Sequence, residues 1–221
     1  MSKQQTDNPF ISLEQLLEAG VHFGHQAKRW HPKISPYIWQ ARDGVHIFNL
    51  IKTVECLQKA CEAIKQDVVA GKTITYVATK RQAATIVREE AQRAGVSFIT
   101  ARWPGGLITN WEQIKKSVDR LKTLKTGLEK GTFNDYTKKE RVLMDKEMNR
   151  LNRIFGGIID LQKPPDVLFI IDVNREKSAL AEAKHNKIKL YAIVDSNVNP
   201  DLIDYPIPGN DDAVRSVSLL V

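Results

Sequence analysis

Apolar residues along this chain fall into short runs of two alternating periods. Thr73-Ile-Thr-Tyr-Val77 is β-branched, with Gly71-Lys72 before it and Lys80-Arg81 after it, and reads as a strand. Arg81 to Ala94 has helical spacing and stops at Gly95, the residue type that most readily ends a helix. Ser97 to Thr100 reads as the next strand. Val167-Leu-Phe-Ile-Ile171 and Leu190-Tyr-Ala-Ile-Val194 are continuous apolar runs, as strands buried on both faces are, and Arg175 to His185 between them is predicted helical. Upstream, Val45-His-Ile-Phe48 is a short apolar run, and Leu57, Cys61, Ile64 and Val68 place a helix over Val54 to Val69. This alternation predicts an α/β fold, a parallel sheet with right-handed crossovers and helices on both faces.

Residues 107–157 break that rhythm. Trp111, Ile114, Val118, Leu121 and Leu128 keep three-and-four spacing, with Lys125 where an apolar residue is expected. Met144, Met148, Leu151, Phe155 and Ile158 keep a heptad step. Joined by Gly127 to Tyr136, the two stripes predict an inserted antiparallel helical hairpin, a short coiled coil. Gly105-Gly106 and Gly156-Gly157 mark its junctions. The rest, 1–106 and 158–221, then forms the two parts of one α/β domain. Basic residues between the stripes fit either a solvated face or phosphate contact.

Charge narrows the partners. The chain carries 33 basic and 26 acidic residues, +7 overall, which favours a polyanion without requiring one. Cys56 and Cys61, the only cysteines, point to different helix faces and suit neither a disulfide nor a metal pair. Met1 to Pro9 is polar, and no run approaches the roughly 20 apolar residues of a membrane span. A soluble intracellular protein is expected, with no membrane partner.

The catalytic search is empty. Gly71-Lys72-Thr73 resembles the end of a phosphate-binding loop, but Gln66 stands where that motif needs glycine, and a strand follows it instead of a helix. No G-x-G-x-x-G follows a strand, so dinucleotide binding has no support. His22-x-x-His25 lacks the glutamate of a zinc-protease helix. No nucleophile is paired with a base.

Cationic and aromatic loops remain. Gly20-Val-His-Phe-Gly-His25, Lys28-Arg-Trp30, Lys33 and Pro36-Tyr-Ile-Trp39 form a segment too broken by Gly and Pro to read as helix or strand. Planes and cations without an acid until Asp43 suit RNA. Thr79-Lys80-Arg81 follows a strand and opens a helix, where backbone N–H groups and cations converge. Arg102-Trp103 precedes Gly105-Gly106, which suits close approach of a nucleic-acid backbone and base stacking, unless Trp103 packs into the sheet. Asp195, Asp201, Asp204, Asp211 and Asp212 lie in the C-terminal part. Some of these could hold a divalent cation or cap the last helix near Ala213.

Gly20-Val-His-Phe-Gly-His25, Pro36-Tyr-Ile38, Gly44-Val-His-Ile47, Thr79-Lys-Arg81, Arg102-Trp-x-Gly-Gly106 with Thr109-Asn110, Gly156-Gly-Ile158 and Pro206-Ile-Pro-Gly-Asn-Asp-Asp-Ala213 occur in one order. Together they resemble the ribosomal protein S-two family of the small subunit, in its bacterial and organellar branch, from about Ile11 to Leu220. The resemblance implies a flavodoxin-like three-layer sheet with the inserted hairpin, and a non-catalytic, rRNA-binding constituent of a bacterial cytoplasmic or organellar ribosome. The implied partners are small-subunit rRNA, neighbouring small-subunit proteins and the OB-repeat ribosomal protein S-one. By position, the RNA contacts are expected at Lys28, Arg29, Trp30, Lys33, Arg42, Lys80, Arg81, Arg102, Trp103, Asn110 and Lys115. No cofactor is required; the resemblance adds weight to a structural Mg or Zn ion at Asp195, Asp211 and Asp212, with helix capping still the alternative. Two positions depart from the family pattern. Ala78 replaces a usual glycine, and Pro104 replaces a usual large apolar residue.

Overall fold

A computed structural model describes residues 11–133 and 135–221; the polar stretch Met1 to Pro9 lies outside the described residues. Five strands, β4 (Ile74–Val77), β5 (Ser97–Ile99), β6 (Val167–Ile171), β7 (Lys189–Val194) and β8 (Tyr205–Pro208), form one sheet in the order β5-β4-β6-β7-β8. Every neighbouring pair is parallel. Counted in chain order among themselves, these strands run 2-1-3-4-5, the flavodoxin-like arrangement. Helices α2 (Leu50–Val69), α3 (Arg81–Ala94), α6 (Lys177–His185) and α7 (Val214–Leu220) alternate with the strands or flank them.

The side-chain period of two explains why β6 is apolar throughout. Leu168 and Ile170 join one core with Ala179 and Ala183 of α6, while Val167, Phe169 and Ile171 join another with Leu57 and Ala60 of α2 and Val87 of α3. Both faces of the sheet are thus covered. Gly95 ends α3 at φ 67° and donates its N–H back to the last turn, as its position in the sequence predicts. The C-terminal acidic stretch also contributes a strand, β8, between Asp204 and Asp211. That strand has only β7 beside it, and the N–H of Gly209 points inward to Val194 O. Pro206 and Pro208 therefore take the alternate, outward positions, where a missing N–H removes no ladder bond.

A second sheet was not anticipated. The segment from Gly20 to Trp39, read as neither helix nor strand, contains β1 (Phe23–Gln26) and the start of β2 (Ile38–Arg42), which pair antiparallel with β3 (Val45–Phe48) in the order β1-β3-β2, and a short helix α1 (Leu13–Glu18) precedes it. Its strands are short and half-exposed, with register shifts, so no clean alternation marks them. Between β1 and β2 the chain runs in two short 3-10 helices, the second carrying Pro32 and Pro36.

Residues 107–157 supply α4 (Trp111–Glu129) and α5 (Lys138–Phe155). Ile114, Val118, Leu121 and Leu124 of α4 share a core with Leu151 and Phe155 of α5, and Met144 and Met148 pack on it. Arg120 reaches Glu147 across the pair, Nη2 to Oε2 2.9 Å. The apolar stripe of α4 differs from expectation: Leu124 and Gly127 take the buried positions instead of Lys125 and Leu128. A Cβ on Gly127 would collide with the Phe133 ring, so the ring folds back over the bare backbone. Thr137 and Glu140 form a capping box at the start of α5.

At the amino end of the sheet, buried Asp67 accepts from Lys72 Nζ (2.8 Å), Lys189 Nζ (2.8 and 2.9 Å) and Tyr191 Oη (2.6 Å). Burial alone would raise this carboxyl. The bonds from Lys189, Lys72 and Tyr191 outweigh it and hold the pKa down to about 2. A depressed carboxyl stabilises the fold above its unfolded pKa and loses that contribution as pH falls toward 2. Asp67→Asn should therefore destabilise the protein by about 3 kcal/mol near neutral pH. Urea denaturation should show the gap between variant and wild type narrowing from pH 4 downward.

Candidate nucleic-acid interface and acidic centre

Open α/β sheets take ligands where strand order reverses, beyond the carboxyl ends of the strands. Here that point lies between β4 and β6, and a side chain of the protein occupies it. The ammonium of Lys80 lies 2.6 Å from Asp212 Oδ1, 2.8 Å from Asp211 Oδ1 and 3.2 Å from Asp172 Oδ2. Lys80 is 8% exposed. Burial opposes its charge, but Asp211, Asp212 and Asp172 outweigh it and hold the pKa above its usual value. Burial, then the charges of Asp195 and Asp172, push the Asp211 carboxyl up against the pull of Lys80. With three carboxylate oxygens around one ammonium, the geometry favours the ionised pair.

The small sheet is fastened to this centre. The N–H of His25 donates to Asp195 Oδ1 (3.1 Å) and Ser196 Oγ (2.8 Å), that of His31 to Ser196 O (2.8 Å), and that of Asn210 to Val21 O (3.1 Å). A Cβ on Gly24 would sit 2.9 Å from Ser196 Oγ and 3.2 Å from His46 O, so only glycine permits the approach. The imidazole of His25 places Nδ1 3.0 Å from Asp195 Oδ2 and Nε2 3.5 Å from Asp212 Oδ2. Its hydrogen bond with Asp195 raises its pKa, against burial.

His25, Asp195 and Asp212 are the donor cluster of this centre, their ligand atoms all within 4.8 Å of one another. Of the expected metal ligands Asp195, Asp211 and Asp212, Asp211 is instead turned to Lys80. Asp212 touches both groups. Neither Asp211 nor Asp212 caps α7; Asn210 accepts from the N–H groups of Asp212 and Ala213 instead.

The expected RNA contacts divide into two sets. Lys28, Arg29 and Trp30 are exposed on the turn after β1, with Trp30 tilted against the His46 ring at 5.1 Å. Arg42, beside Asp43, Arg81 at the start of α3, Arg102, Asn110 and Lys115 are also exposed. Lys33 is exposed and paired with Asp201. Lys80 and Trp103 turn inward. Trp103 is 6% exposed and its indole N–H donates to Glu182 Oε1 at 3.0 Å, the packed alternative that the sequence left open.

Besides Asp67, three more acids with structural roles went unrecognised in the sequence. Glu182 of α6 also accepts from Gly106 N (2.8 Å), Ile108 N (3.0 Å), and Thr109 N and Oγ1 (both 3.4 Å). Glu176 accepts from the N–H of Thr79 at 2.9 Å and from its hydroxyl. Asp172 stands at φ 63° directly after β6. Only Asp172 left a trace in the sequence, as an acid ending a buried strand.

The chain from residue 16 to 221 matches the family described as Ribosomal protein S2. It is similar to the small ribosomal subunit protein uS2 of Dehalococcoides mccartyi, 47% identical over 212 residues that cover 96% of this chain and 86% of that protein. Similar proteins bearing the same name come from Rhizobium rhizogenes, 47% identical over 96% of this chain and 82% of the relative, and Rippkaea orientalis, 45% identical over 96% and 80%.

Removing the charge of Lys80 strands three carboxylates. Lys80→Met should lower stability by about 3 kcal/mol. Adding Asp211→Asn should recover part of the loss, a coupling that a urea-denaturation double-mutant cycle measures.

Proposed function

The chain belongs to the ribosomal protein S2 family, and from that membership we propose that it grips small-subunit rRNA with its exposed cationic and aromatic loops. It is a protein of the small ribosomal subunit with a structural role in translation, and not an enzyme. Its relatives are bacterial, consistent with the cytoplasmic ribosome. Among the described residues no helix is long and apolar enough to cross a membrane.

The sorting of charge carries the reading. Buried or half-buried Lys80 and Lys189 are each satisfied by carboxylates. Lys28, Arg29, Arg81 and Arg102 form no ion pair among the described residues and face solvent. Unpaired cations on loops, beside an exposed indole at Trp30, suit phosphates and unstacked bases. Exposed Arg42, Asn110 and Lys115 would add further contacts, and Lys33 would join them by exchanging Asp201 for phosphate. Lys80 and Trp103 support it from within.

Helices α4 and α5 are proposed to form the inserted antiparallel coiled-coil arm, which sets Lys115 and its basic neighbours along rRNA. The shared core of the two helices and the Arg120–Glu147 pair support this. Neighbouring small-subunit proteins are the further partners. For the OB-repeat protein S-one, the cleft lined by Leu17, Trp39 and Ile51 offers exposed apolar surface beside Arg42.

One imidazole and two carboxylates form the mixed N/O donor set that suits zinc or another divalent ion. His25, Asp195 and Asp212 would hold the ion, which would cross-link the small sheet to the strand ends. Titration calorimetry with Zn²⁺ should detect binding to the whole chain. His25→Ala should weaken it at least ~10-fold, whereas Asp211→Asn, which leaves the three donors in place, should change it far less.

Phosphate binding releases counterions, so rRNA affinity should fall steeply with salt. Arg81→Glu with Arg102→Glu should leave the urea midpoint near that of wild type, make the salt dependence shallower by about two phosphates and reduce incorporation into small subunits. Unchanged salt dependence would remove these two side chains from the interface.

A further inference from the structure

Glu182 is an acid at the base of a surface proposed to meet RNA, yet it forms no ion pair among the described residues. Its partners all belong to one loop, between β5 and α4. Oε1 accepts from the indole of Trp103 and the N–H of Gly106, and Oε2 from the N–H of Ile108 and both donors of Thr109. Closely spaced backbone N–H groups converging on one anion are how proteins often cradle phosphate. Here the anion comes from α6. Burial would raise this carboxyl's pKa, but the bonds from Trp103, Gly106, Ile108 and Thr109 outweigh it and lower the value.

The loop has few other polar ties. Its own backbone closes through Leu107 N to Pro104 O (3.1 Å) and Asn110 N to Gly106 O (2.7 Å). Gly106 stands at φ 84°. The preceding strand, β5, has three residues and pairs on one side only. Asn110 opens α4 without a side-chain cap bond. The apolar contacts of Trp103, Leu107 and Ile108 resist withdrawal of the loop from the core, but they do not fix the direction of its backbone as hydrogen bonds do.

We infer that Glu182 is a positioning residue for RNA binding, an internal anion that aims Arg102 and Asn110 outward while touching no RNA itself. The inference rests on the rRNA-binding reading above. It also reverses a sign. Removing an acid near a polyanion tightens binding by electrostatics alone, whereas losing the aim of the loop weakens it.

The experiment uses the full chain, small-subunit rRNA transcript and the variants Glu182→Ala and Glu182→Gln. Affinity is measured across a salt series, with hydrogen exchange followed at the amides of residues 103–110. Glu182→Ala should bind about tenfold more weakly, with a salt dependence shallower by about one phosphate and faster exchange at Gly106, Ile108 and Thr109. Acetate should restore both properties better than chloride at equal ionic strength, because a free carboxylate can enter the vacated cradle. Glu182→Gln, which fills that cradle, should be weakened but not rescued, and it carries the test if the alanine variant does not fold. Unchanged or tighter binding, or weaker binding with unchanged amide exchange, would overturn the inference. If the wild-type chain fails to bind rRNA, the proposed function falls, and amide exchange alone then decides whether Glu182 holds the loop.

Discussion

An ammonium group enclosed by carboxylates joins parts of this fold that are far apart in sequence. Lys80 follows β4, Asp172 follows β6, and Asp211 and Asp212 follow β8. Three strand ends are thereby drawn to one point. Asp212 extends the centre to His25, and His25 with Ser196 fastens the small antiparallel sheet above it. The exposed turn Lys28-Arg29-Trp30 leaves that sheet, and Arg81 begins the helix that Lys80 precedes. A buried electrostatic centre thus sets the spacing of cations that it does not itself contribute to the surface.

The same centre explains why a fold that commonly holds nucleotides serves here as scaffold. The crevice at the reversal of strand order is usually open to an anionic ligand. In this chain a lysine faces inward and aspartates surround it, so the site is satisfied from within and carries excess negative charge. The cations without carboxylate partners, Lys28, Arg29, Arg81 and Arg102 among the described residues, lie outside that crevice on exposed turns and helix starts. The two kinds of basic residue, those that neutralise the interior and those that face outward, have different physical tasks.

Much of the sheet was legible because strands buried on both faces must be apolar throughout. Val167 to Ile171 and Leu190 to Val194 could hardly be anything else, and Gly95 marked the end of its helix by its conformation. The direction of Lys80 was not legible. A basic residue between a strand and a helix looks the same whether it faces solvent or the core, and its deciding partners lie about 90 and 130 positions away. Trp103 presented the same ambiguity, resolved by Glu182 from another helix. The small sheet escaped notice because its strands are short, irregular in register and half-exposed, and Gly24 reads as a breaker until Ser196 is placed against it. On α4 the stripe slipped at Lys125 because a bare Gly127, covered by Phe133, does not read as a buried position.

The two proline residues of β8 bear on the life of the chain before assembly. A sheet edge with free donors and acceptors invites a second chain to add a strand, which is a route to aggregation. Along β8 the outward donors are missing at Pro206 and Pro208, and at the opposite border β5 is only three residues long with Gly157 pressed against Phe98. Neither border offers a long template for pairing. The five-stranded sheet therefore gives a newly made copy no long border on which another copy could add a strand.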